Sequence, residues 1–302
     1  MMNNFHNPVL LQECIDGLNV NKNGIYVDAT FGGGGHTLAI LKKIQSGKVI
    51  AFDRDRDAIS NNKIVDKNLM ILNQNFKYLK NGLASLGIQQ IDGLIADLGL
   101  SSYQLDTDNR GFSFNSSSNL DMRMNQESSF TAKDILNNYK EEQLSNLFRL
   151  YADFKNPSKI SSAIINFRKT QQFENISDFK KLLSTVFKGP KQNKFLARVF
   201  QAIRMEVNSE IDCLKELLIN SLKLIKPKGR LVIISYHSIE DRIVKNFFKF
   251  GTFNSFPKVG IYQNEPSPFL IITKKPIKAT VKEINKNNRA RSAKLRIAEI
   301  KE

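Results

Sequence analysis

The fold of this chain is decided by the stretch Ile25-Tyr26-Val27-Asp28-Ala29-Thr30-Phe31-Gly32-Gly33-Gly34-Gly35-His36-Thr37. A short run rich in β-forming residues ends in four glycines, and apolar residues at helical spacing follow over residues 37–44. Strand, glycine loop and helix in this order predict a parallel α/β unit. Glycine lets the backbone approach a ligand closely, and the first turn of a helix offers unpaired amide groups. The loop is therefore a candidate binding site.

Three classes of ligand compete for this glycine loop. A phosphate-binding loop needs Gly-Lys-Ser/Thr at its end, but His36 and Thr37 stand there, which argues against ATP or GTP hydrolysis. A dinucleotide fingerprint needs a glycine at position 37 or 38, where Thr37 and Leu38 stand. A nucleoside cofactor without phosphates fits best, because Asp28 would repel a pyrophosphate but can pair with an ammonium group. Asp53 ends the next strand, where a carboxylate can accept both hydroxyls of a ribose.

The strand-and-helix pattern continues outward from the loop and is interrupted once. Residues 131–205 read as helices throughout, and Thr131 and Asp134 form a capping box at their start. A helix over residues 209–226 then leads back to strands. We predict an α/β, Rossmann-like fold with an inserted all-helical domain, in which helices cover both faces of a parallel sheet. The further candidate strands are residues 49–52, 69–72, 93–96, 230–235 and 269–272.

Positive charge is concentrated in two parts of this organisation. The formal net charge is +16. Residues 139–205 hold thirteen basic and five acidic side chains, and residues 274–302 hold ten and three. Two such segments predict a polyanionic partner; the alternative is that lysine simply fills solvent-facing positions. We expect three parts: residues 1–108, a loop plus helical insert over 109–205, and residues 206–302 with a basic tail.

The composition excludes several classes of protein. Hydrophobic residues make up 41% and charged residues 25% of the 302 residues, as in folded chains. No apolar run approaches the ~18 residues of a membrane span, and the start lacks a signal-peptide pattern. Cys14 and Cys213 lie far apart and offer no paired metal spacing. We expect a cytoplasmic protein with no metal and no membrane partner; no oligomeric state is predicted.

Short motifs run through nearly the whole chain. They occupy residues 6–11, 28–36, 52–55, 97–106, 110–114, 120–124, 200–208, 235–242 and 289–296. In this order and spacing the chain resembles the MraW/RsmH family of bacterial methyltransferases, which act on a cytosine of 16S ribosomal RNA. Tyr103, where the family usually has proline, and residues 117–119, which replace Asp-Gly-Pro, depart from its pattern.

The resemblance implies a Rossmann-like, class I, S-adenosylmethionine-dependent methyltransferase. It also implies that the loop plus helical insert over 109–205 serves RNA recognition. Its substrate would be the exocyclic N4 amine of a cytosine in the decoding region of the small ribosomal subunit. S-adenosyl-L-methionine would be the methyl donor and S-adenosylhomocysteine the product. Carried over by position, the cofactor-binding residues are Gly33, Gly34, Gly35, His36, Asp53, Phe76, Asp97 and Gln104.

The chemistry also indicates residues for catalysis and for the substrate. Attack by a cytosine amine needs an acceptor for its proton, and Asp97 after the fourth strand is the candidate, although it can equally cap a turn or serve the cofactor. Phe76 can stack on adenine or pack in the core. The loop side chains can contact RNA or anchor the loop, and His237 can position substrate or satisfy backbone groups. The candidate substrate-binding residues are Ser101, Ser102, Arg110, Phe112, Arg123, His237 and Ser238.

Three other functions compete with this interpretation. A DNA amino-methyltransferase would carry a Pro-Pro turn after the fourth strand, and residues 97–102 contain no proline. A non-catalytic RNA-binding assembly factor would not need a nucleoside pocket. A nicotinamide oxidoreductase is disfavoured by the spacing of the glycines.

Overall fold

The structure, a computed structural model, describes residues 8–253 and 267–302, and at Ser102 the backbone alone. The chain divides into two compact units. The sheet unit consists of Met1–Ser101 and Ile211–Glu302, and the helical unit of Ser102–Glu210. The helical unit is thus longer at both ends than the insert expected over 109–205. Motif residue His6 lies outside the described residues.

Seven strands form the sheet of the sheet unit. They are β1 (Ile25–Asp28), β2 (Lys48–Asp53), β3 (Leu69–Asn73), β4 (Ile91–Asp97), β5 (Ile225–Ser235), β6 (Phe269–Ile271) and β7 (Lys294–Ile300). Their order across the sheet is β3-β2-β1-β4-β5-β7-β6. The first five strands are parallel, whereas β7 is antiparallel to both β5 and β6. The predicted Rossmann-like α/β fold is confirmed, and all six strands predicted from the sequence are present.

Helices flank the strands in the chain and make up most of the helical unit. They are α1 (Leu11–Leu18), α2 (Gly35–Leu41), α3 (Arg56–Ser60), α4 (Leu79–Ser85), α5 (Ser102–Asp106), α6 (Ala132–Asn138), α7 (Glu141–Tyr151), α8 (Ser158–Arg168), α9 (Ile176–Val186), α10 (Gln192–Val207), α11 (Glu210–Leu224), α12 (Ser238–Phe250) and α13 (Val281–Lys286). Short 3₁₀ turns occupy Phe76–Tyr78, Asp108–Arg110 and Asn288–Ser292.

The sheet is buried on both faces. On one face, side chains of α1, α2 and five strands form a single cluster that includes Leu18, Ile40 and Ile95. Successive strand residues point to opposite faces, so Leu94 belongs to the other face, and it is fully buried as well. Burial of both faces explains why the strands read as continuous apolar runs rather than as alternating ones.

The helical unit has its own core, built largely from phenylalanine. Phe173 stacks on Phe167 with ring centroids 4.4 Å apart and meets Phe179 edge-on at 5.7 Å. The predicted capping box is present, because Thr131 N donates to Asp134 Oδ2 over 2.8 Å and the Thr131 side chain accepts from Asp134 N. This unit is the all-helical insertion that the sequence predicted.

Two segments differ from the sequence predictions. The helix expected over 209–226 ends at Leu224, and β5 begins at once and runs through Pro227 and Gly229, whereas the strand was expected only over 230–235. The expected basic tail includes β7, whose Arg296 is buried and pairs with Asp241 of α12 over 2.7 Å. Part of the charge read as a tail therefore stabilises the sheet unit from within.

Candidate active site

The Asp53 carboxylate ties the glycine loop to the end of β2. Its Oδ2 accepts a hydrogen bond from Gly32 N over 2.8 Å, and its Oδ1 accepts one from Asp55 N over 2.8 Å. Burial raises the pKa of Asp53 to about 6, against the opposing effect of these two bonds. Each carboxylate oxygen keeps a second lone pair, so Asp53 can still accept hydrogen bonds from a ligand.

Asp28, a buried residue at the end of β1, holds the same loop through hydrogen bonds. Its Oδ2 accepts from Thr37 Oγ1 over 2.7 Å, its Oδ1 accepts from Thr30 N over 3.1 Å, and only 1% of the residue is exposed. This burial argues against the ammonium pairing that the sequence suggested for Asp28. Its carboxylate instead fixes the curvature of the loop before any ligand binds.

The glycines of the loop differ in what surrounds them. A Cβ on Gly33 would meet nothing within 4 Å, so its backbone faces open space that a ligand can fill. A Cβ on Gly34 would lie 2.6 Å from Ile64 Cδ1, and one on Gly35 would lie 2.2 Å from Pro8 Cγ. Close packing explains these two glycines, and Gly34 also has a positive φ of 74°. Cofactor contacts at Gly34 and Gly35 stay predictions, made through the backbone.

His36 and Phe76 both follow this loop in the chain and have different environments. His36 is 6% exposed in the first turn of α2, and its Nε2 lies 3.2 Å from the Val9 carbonyl oxygen. Phe76 opens the 3₁₀ turn after β3 and is only partly buried. A partly exposed ring at the carboxyl end of a strand is suited to stacking on a planar base.

Asp97 ends β4 and lies against the first strand and the fifth. Its N–H donates to Thr30 Oγ1 over 2.7 Å, and its Oδ1 accepts from Gly99 N over 3.3 Å. Tyr236 approaches the same carboxylate; burial raises the pKa of Asp97, whereas His36, Tyr236 and Gly99 N act to lower it. Ser101 follows closely, since its Cβ lies 4.0 Å from where a Cβ on Gly32 would be. Asp97 and Ser101 are thus brought to the glycine loop as predicted from strand order.

His237 and Ser238 lie at the start of α12, directly after β5. His237 is the N-cap of the helix, and its Nδ1 accepts from Glu240 N over 3.4 Å. Glu240 Oε1 lies 3.0 Å from His237 Nε2 but out of line for a hydrogen bond, so that nitrogen is buried without one. Ser238 is exposed. Glu240 and Asp241 lie in the first turn of α12, and His237 satisfies a backbone group there.

The loop residues predicted to bind RNA lie in the helical unit and are largely engaged within it. Arg110 is 5% exposed and donates to the carbonyl oxygens of Arg123 and Met124 over 3.0 and 3.2 Å. Phe112 is 8% exposed. Arg123 forms a two-point ion pair with Asp121 over 2.8 and 2.7 Å. These contacts favour the loop-anchoring alternative for Arg110 and Phe112, while RNA contacts by this loop stay a prediction.

Gln104 and Ser102, two further predicted site residues, lie on α5 at the start of the helical unit. Gln104 is 5% exposed on α5 of the helical unit. The side chain of Ser102 lies outside the described part of the structure. Their assignments to cofactor and substrate stay predictions.

Sequence reasoning missed three residues that organise these sites. Thr30 joins the loop to β4 through its hydroxyl, and Tyr236 contacts Asp97 from the end of β5. Asn208 accepts from Met124 N over 2.8 Å and donates to Met122 O over 2.7 Å, which holds the loop onto the end of α10. Of these three residues, only Thr30 could have been found from the sequence, because it lies two residues after the end of β1.

The residues of the sheet unit around the glycine loop form a candidate site for a nucleoside with a positively charged group. The carboxyl ends of parallel strands lie at one edge of a sheet, and Asp53, Phe76, Asp97 and open Gly33 all follow such ends. These features suit S-adenosylmethionine: the carboxylates can accept ribose hydroxyls, the ring can stack on the base, and the backbone at Gly33 has no side chain in the way. A phosphate group would instead meet the negative charge of the carboxylates.

In the described part of the chain, no helix has the length and apolar character to cross a membrane.

Comparison with known proteins gives consistent results. The family model described as the MraW methylase family matches residues 3–301. The chain is 48% identical to ribosomal RNA small subunit methyltransferase H of Christiangramia forsetii over 301 residues, 97% of each chain. It is 45% identical to the protein of the same name from Karelsulcia muelleri, over 99% of this chain and 100% of that one.

A solved structure, an rRNA methylase from Streptococcus thermophilus, aligns over 95% of this chain and 93% of its own with a TM-score of 0.42 and 12% identity. The family match extends over nearly the entire length, through both segments of the sheet unit and the helical insertion. This chain therefore belongs to the MraW methylase family.

Proposed function

We propose that this protein transfers a methyl group from S-adenosyl-L-methionine to the N4 amine of a cytosine in the decoding region of 16S ribosomal RNA. The small ribosomal subunit is the proposed substrate, and a cytoplasmic setting goes with it. The observation that carries the proposal is the placement of Asp53, Asp97 and the open backbone of Gly33 at the carboxyl ends of β1 to β4. The names of the relatives, which are small-subunit rRNA methyltransferases, support the same substrate.

The cofactor would supply an electrophilic methyl group on a sulfonium centre. Asp53 would accept the ribose hydroxyls, Phe76 would stack on the adenine, and the Gly33 backbone would allow the close approach that its empty surroundings permit. Because Asp28 and Asp53 already hold the loop through hydrogen bonds of 2.7 to 3.1 Å, little ordering remains to be done on binding.

Asp97 is the proposed proton acceptor. The lone pair of a cytosine amine is delocalised into the ring, so the nitrogen has to be held in line with the methyl carbon and the sulfur, away from water. As the N–C bond forms and the C–S bond breaks, the electron pair of the latter goes to sulfur. The amine gains positive charge and loses a proton, which the Asp97 carboxylate would accept. Such acid–base assistance contributes about 10²- to 10⁴-fold in rate.

Basic side chains of the helical unit would hold the RNA backbone. Lys188, Lys191 and Lys194 lie close together in sequence and are all exposed. Phosphate contacts of this kind supply affinity without sequence choice. The target base has to leave its stack to reach the methyl donor at the glycine loop, so a cytosine that is unpaired or extruded from its helix is the expected form of the substrate.

The test is labelled methyl transfer to small subunits purified from cells that lack this protein, followed by mapping of the modified nucleotide. We expect one cytosine, methylated on N4, in the decoding region. Asp97→Asn keeps the size of the side chain and should lower the rate by about 100-fold or more. Methylation of duplex DNA in preference to subunits would establish a DNA amino-methyltransferase instead. No transfer to any nucleic acid would leave an RNA-binding protein.

A further inference from the structure

We propose that Tyr236, seated on Gly99, is a positioning residue that aims and activates the Asp97 carboxylate as the proton acceptor. This inference rests on the proposed function, because it assigns a task to the side chain beside Asp97 in the same reaction. It adds a residue from the far side of the inserted helical unit in sequence, which none of the motif assignments gives a role.

Gly99 is the point at which the tyrosine ring and the carboxylate converge. A Cβ on Gly99 would lie 2.8 Å from Cε2 and 3.0 Å from Cζ of Tyr236, and 3.3 Å from Oδ1 of Asp97. Any side chain at this position would push the ring away from the carboxylate. With glycine there, Tyr236 comes close enough to Asp97 to lower the pKa of that carboxyl, while Gly99 N donates to Oδ1 over 3.3 Å.

The backbones that carry the two side chains are fixed independently of any substrate. Tyr236 N donates to Glu240 Oε2 over 3.0 Å, which locks the turn between β5 and α12. Asp97 N donates to Thr30 Oγ1 over 2.7 Å, and Leu98 N donates to Ile234 O over 3.0 Å, which joins the ends of β4 and β5. The carboxylate is therefore oriented before the amine arrives, as preorganised catalysis requires.

The charged groups around Asp97 show why a hydroxyl donor would help to keep its carboxylate ionised. Burial and the nearby Asp28 carboxylate raise the pKa of Asp97, whereas His36 of α2, Tyr236 and Gly99 N act to lower it. Cys14 of α1 also faces it. Burial and the charge of Asp97 raise the pKa of Tyr236, so its hydroxyl keeps its proton and is available as a donor to that carboxylate. Loss of that donor leaves Asp97 protonated over a wider pH range, and a protonated carboxyl cannot accept a proton.

The experiment compares wild type with Tyr236→Phe, which removes only the hydroxyl, in single-turnover methyl transfer to small subunits across about pH 5.5 to 9. We expect the acid limb of the rate profile to move to higher pH by about half to one unit. Affinity for S-adenosylhomocysteine at pH about 8.5, where the carboxylate is ionised in both proteins, should stay within about twofold. Gly99→Ala should move the limb in the same direction, because its Cβ displaces the ring.

Tyr139→Phe is the matched control. It also removes a hydroxyl that donates to a carboxylate, over 2.7 Å to Glu206, but in the helical unit. It should leave the acid limb in place. A Tyr236→Phe limb that coincides with the wild-type one would overturn the positioning role. If wild type modifies no RNA, the proposed function fails; if wild type is active and Asp97→Asn loses nothing, only the acceptor role and its positioning by Tyr236 fail.

Discussion

Asp53 combines a buried position with a carboxylate that has to be charged to bind hydroxyl groups well. Its two backbone partners fix its orientation, but burial still raises its pKa to about 6. Ribose hydroxyls donate more strongly to a charged than to a neutral carboxyl group. Binding should therefore favour the ionised form and lower the pKa of Asp53 in the complex.

This linkage predicts a pH-dependent affinity. As the pH falls below about 6, Asp53 of the free protein takes up a proton that has to be released on binding, so affinity should fall by up to about tenfold per pH unit. Above that pH the affinity should be flat. Calorimetry with S-adenosylhomocysteine measures it directly.

Asp53→Asn should weaken binding at neutral pH by about 1 to 3 kcal/mol and remove the acid limb. Asp66→Asn, at an exposed carboxylate before β3, should change neither. A wild-type affinity that is constant through pH 6 would contradict the ribose contact.

At the residue scale, the sequence predicted the position of those site residues that lie at the end of a recognisable strand. Asp53 and Asp97 directly follow recognisable apolar strands, so both could be placed at one edge of the sheet. Tyr236 could not be found in this way, because its contact with Asp97 depends on how β4 and β5 meet and on the missing side chain at Gly99. Burial of Arg110 was equally invisible, since its polar side chain is satisfied by carbonyl groups.

The contact between α12 and β7 holds His237 and Tyr236 at the edge of the sheet. Asp241 in the first turn of α12 accepts from Arg296 over 2.7 Å and lies 3.4 Å from Lys294 Nζ. Burial acts to raise the pKa of Asp241, but the bonds and charges of Arg296 and Lys294 outweigh it and hold the pKa below its ordinary value. The pair therefore stabilises the fold when Asp241 is ionised.

Asp241→Asn should lower the free energy of unfolding at neutral pH by about 1 to 3 kcal/mol, the scale of a hydrogen bond to a charged group. Because the folded-state pKa is depressed, this stability is present above the ordinary carboxyl pKa of about 3.9 and is lost as pH falls through the lower folded value. The difference in the free energy of unfolding between the variant and the wild type should therefore disappear at acid pH.

Denaturant unfolding at several pH values measures this difference. Asp212→Asn is the control, since that side chain is 78% exposed and lies 3.9 Å from Lys215; it should cost at most a few tenths of a kcal/mol. An Asp241→Asn protein as stable as wild type at pH about 7 would show that the ion pair is neutral in energy.

At the element scale, the apolar strands β1 to β5 were predictable and β7 was not. Its alternation of Lys294, Arg296 and Glu299 with apolar residues looked like a charged tail, because the partner of Arg296 lies in a helix far away in sequence. The start expected for β5, at residue 230, was wrong for a related reason. The strand begins with Ile225 opposite Ile91 and shifts register before Gly93, which accommodates the proline and the positive φ of Lys228. Long-range pairing decided both segments.

For the whole molecule, the surplus of positive charge predicts how binding responds to salt. The affinity for single-stranded or open RNA should fall with a slope of about −0.7 in log affinity against log salt for each phosphate contacted. Replacing Lys188, Lys191 and Lys194 together by glutamine should reduce the slope by about 2 in magnitude if each contacts one phosphate. Filter binding to small subunits or decoding-region RNA measures it.

Three exposed lysines of the sheet unit, Lys63, Lys67 and Lys80, provide a charge-matched control. Their replacement by glutamine should leave the slope unchanged. Equal effects of both triple variants would assign the salt dependence to overall charge, and a flat wild-type profile would remove the helical unit's lysines from the interface.

The interruption of the sheet unit has a consequence for biosynthesis. Strands β1 to β4 leave the ribosome first, but β4 pairs on its free side with β5, which is made only after the whole helical unit. During translation the apolar edge of β4 is thus left unpaired, while the contiguous helical segment can already collapse on its phenylalanine core. A nascent chain of this kind needs shielding for as long as the insertion takes to synthesise, so slowing translation there should raise its demand for chaperones.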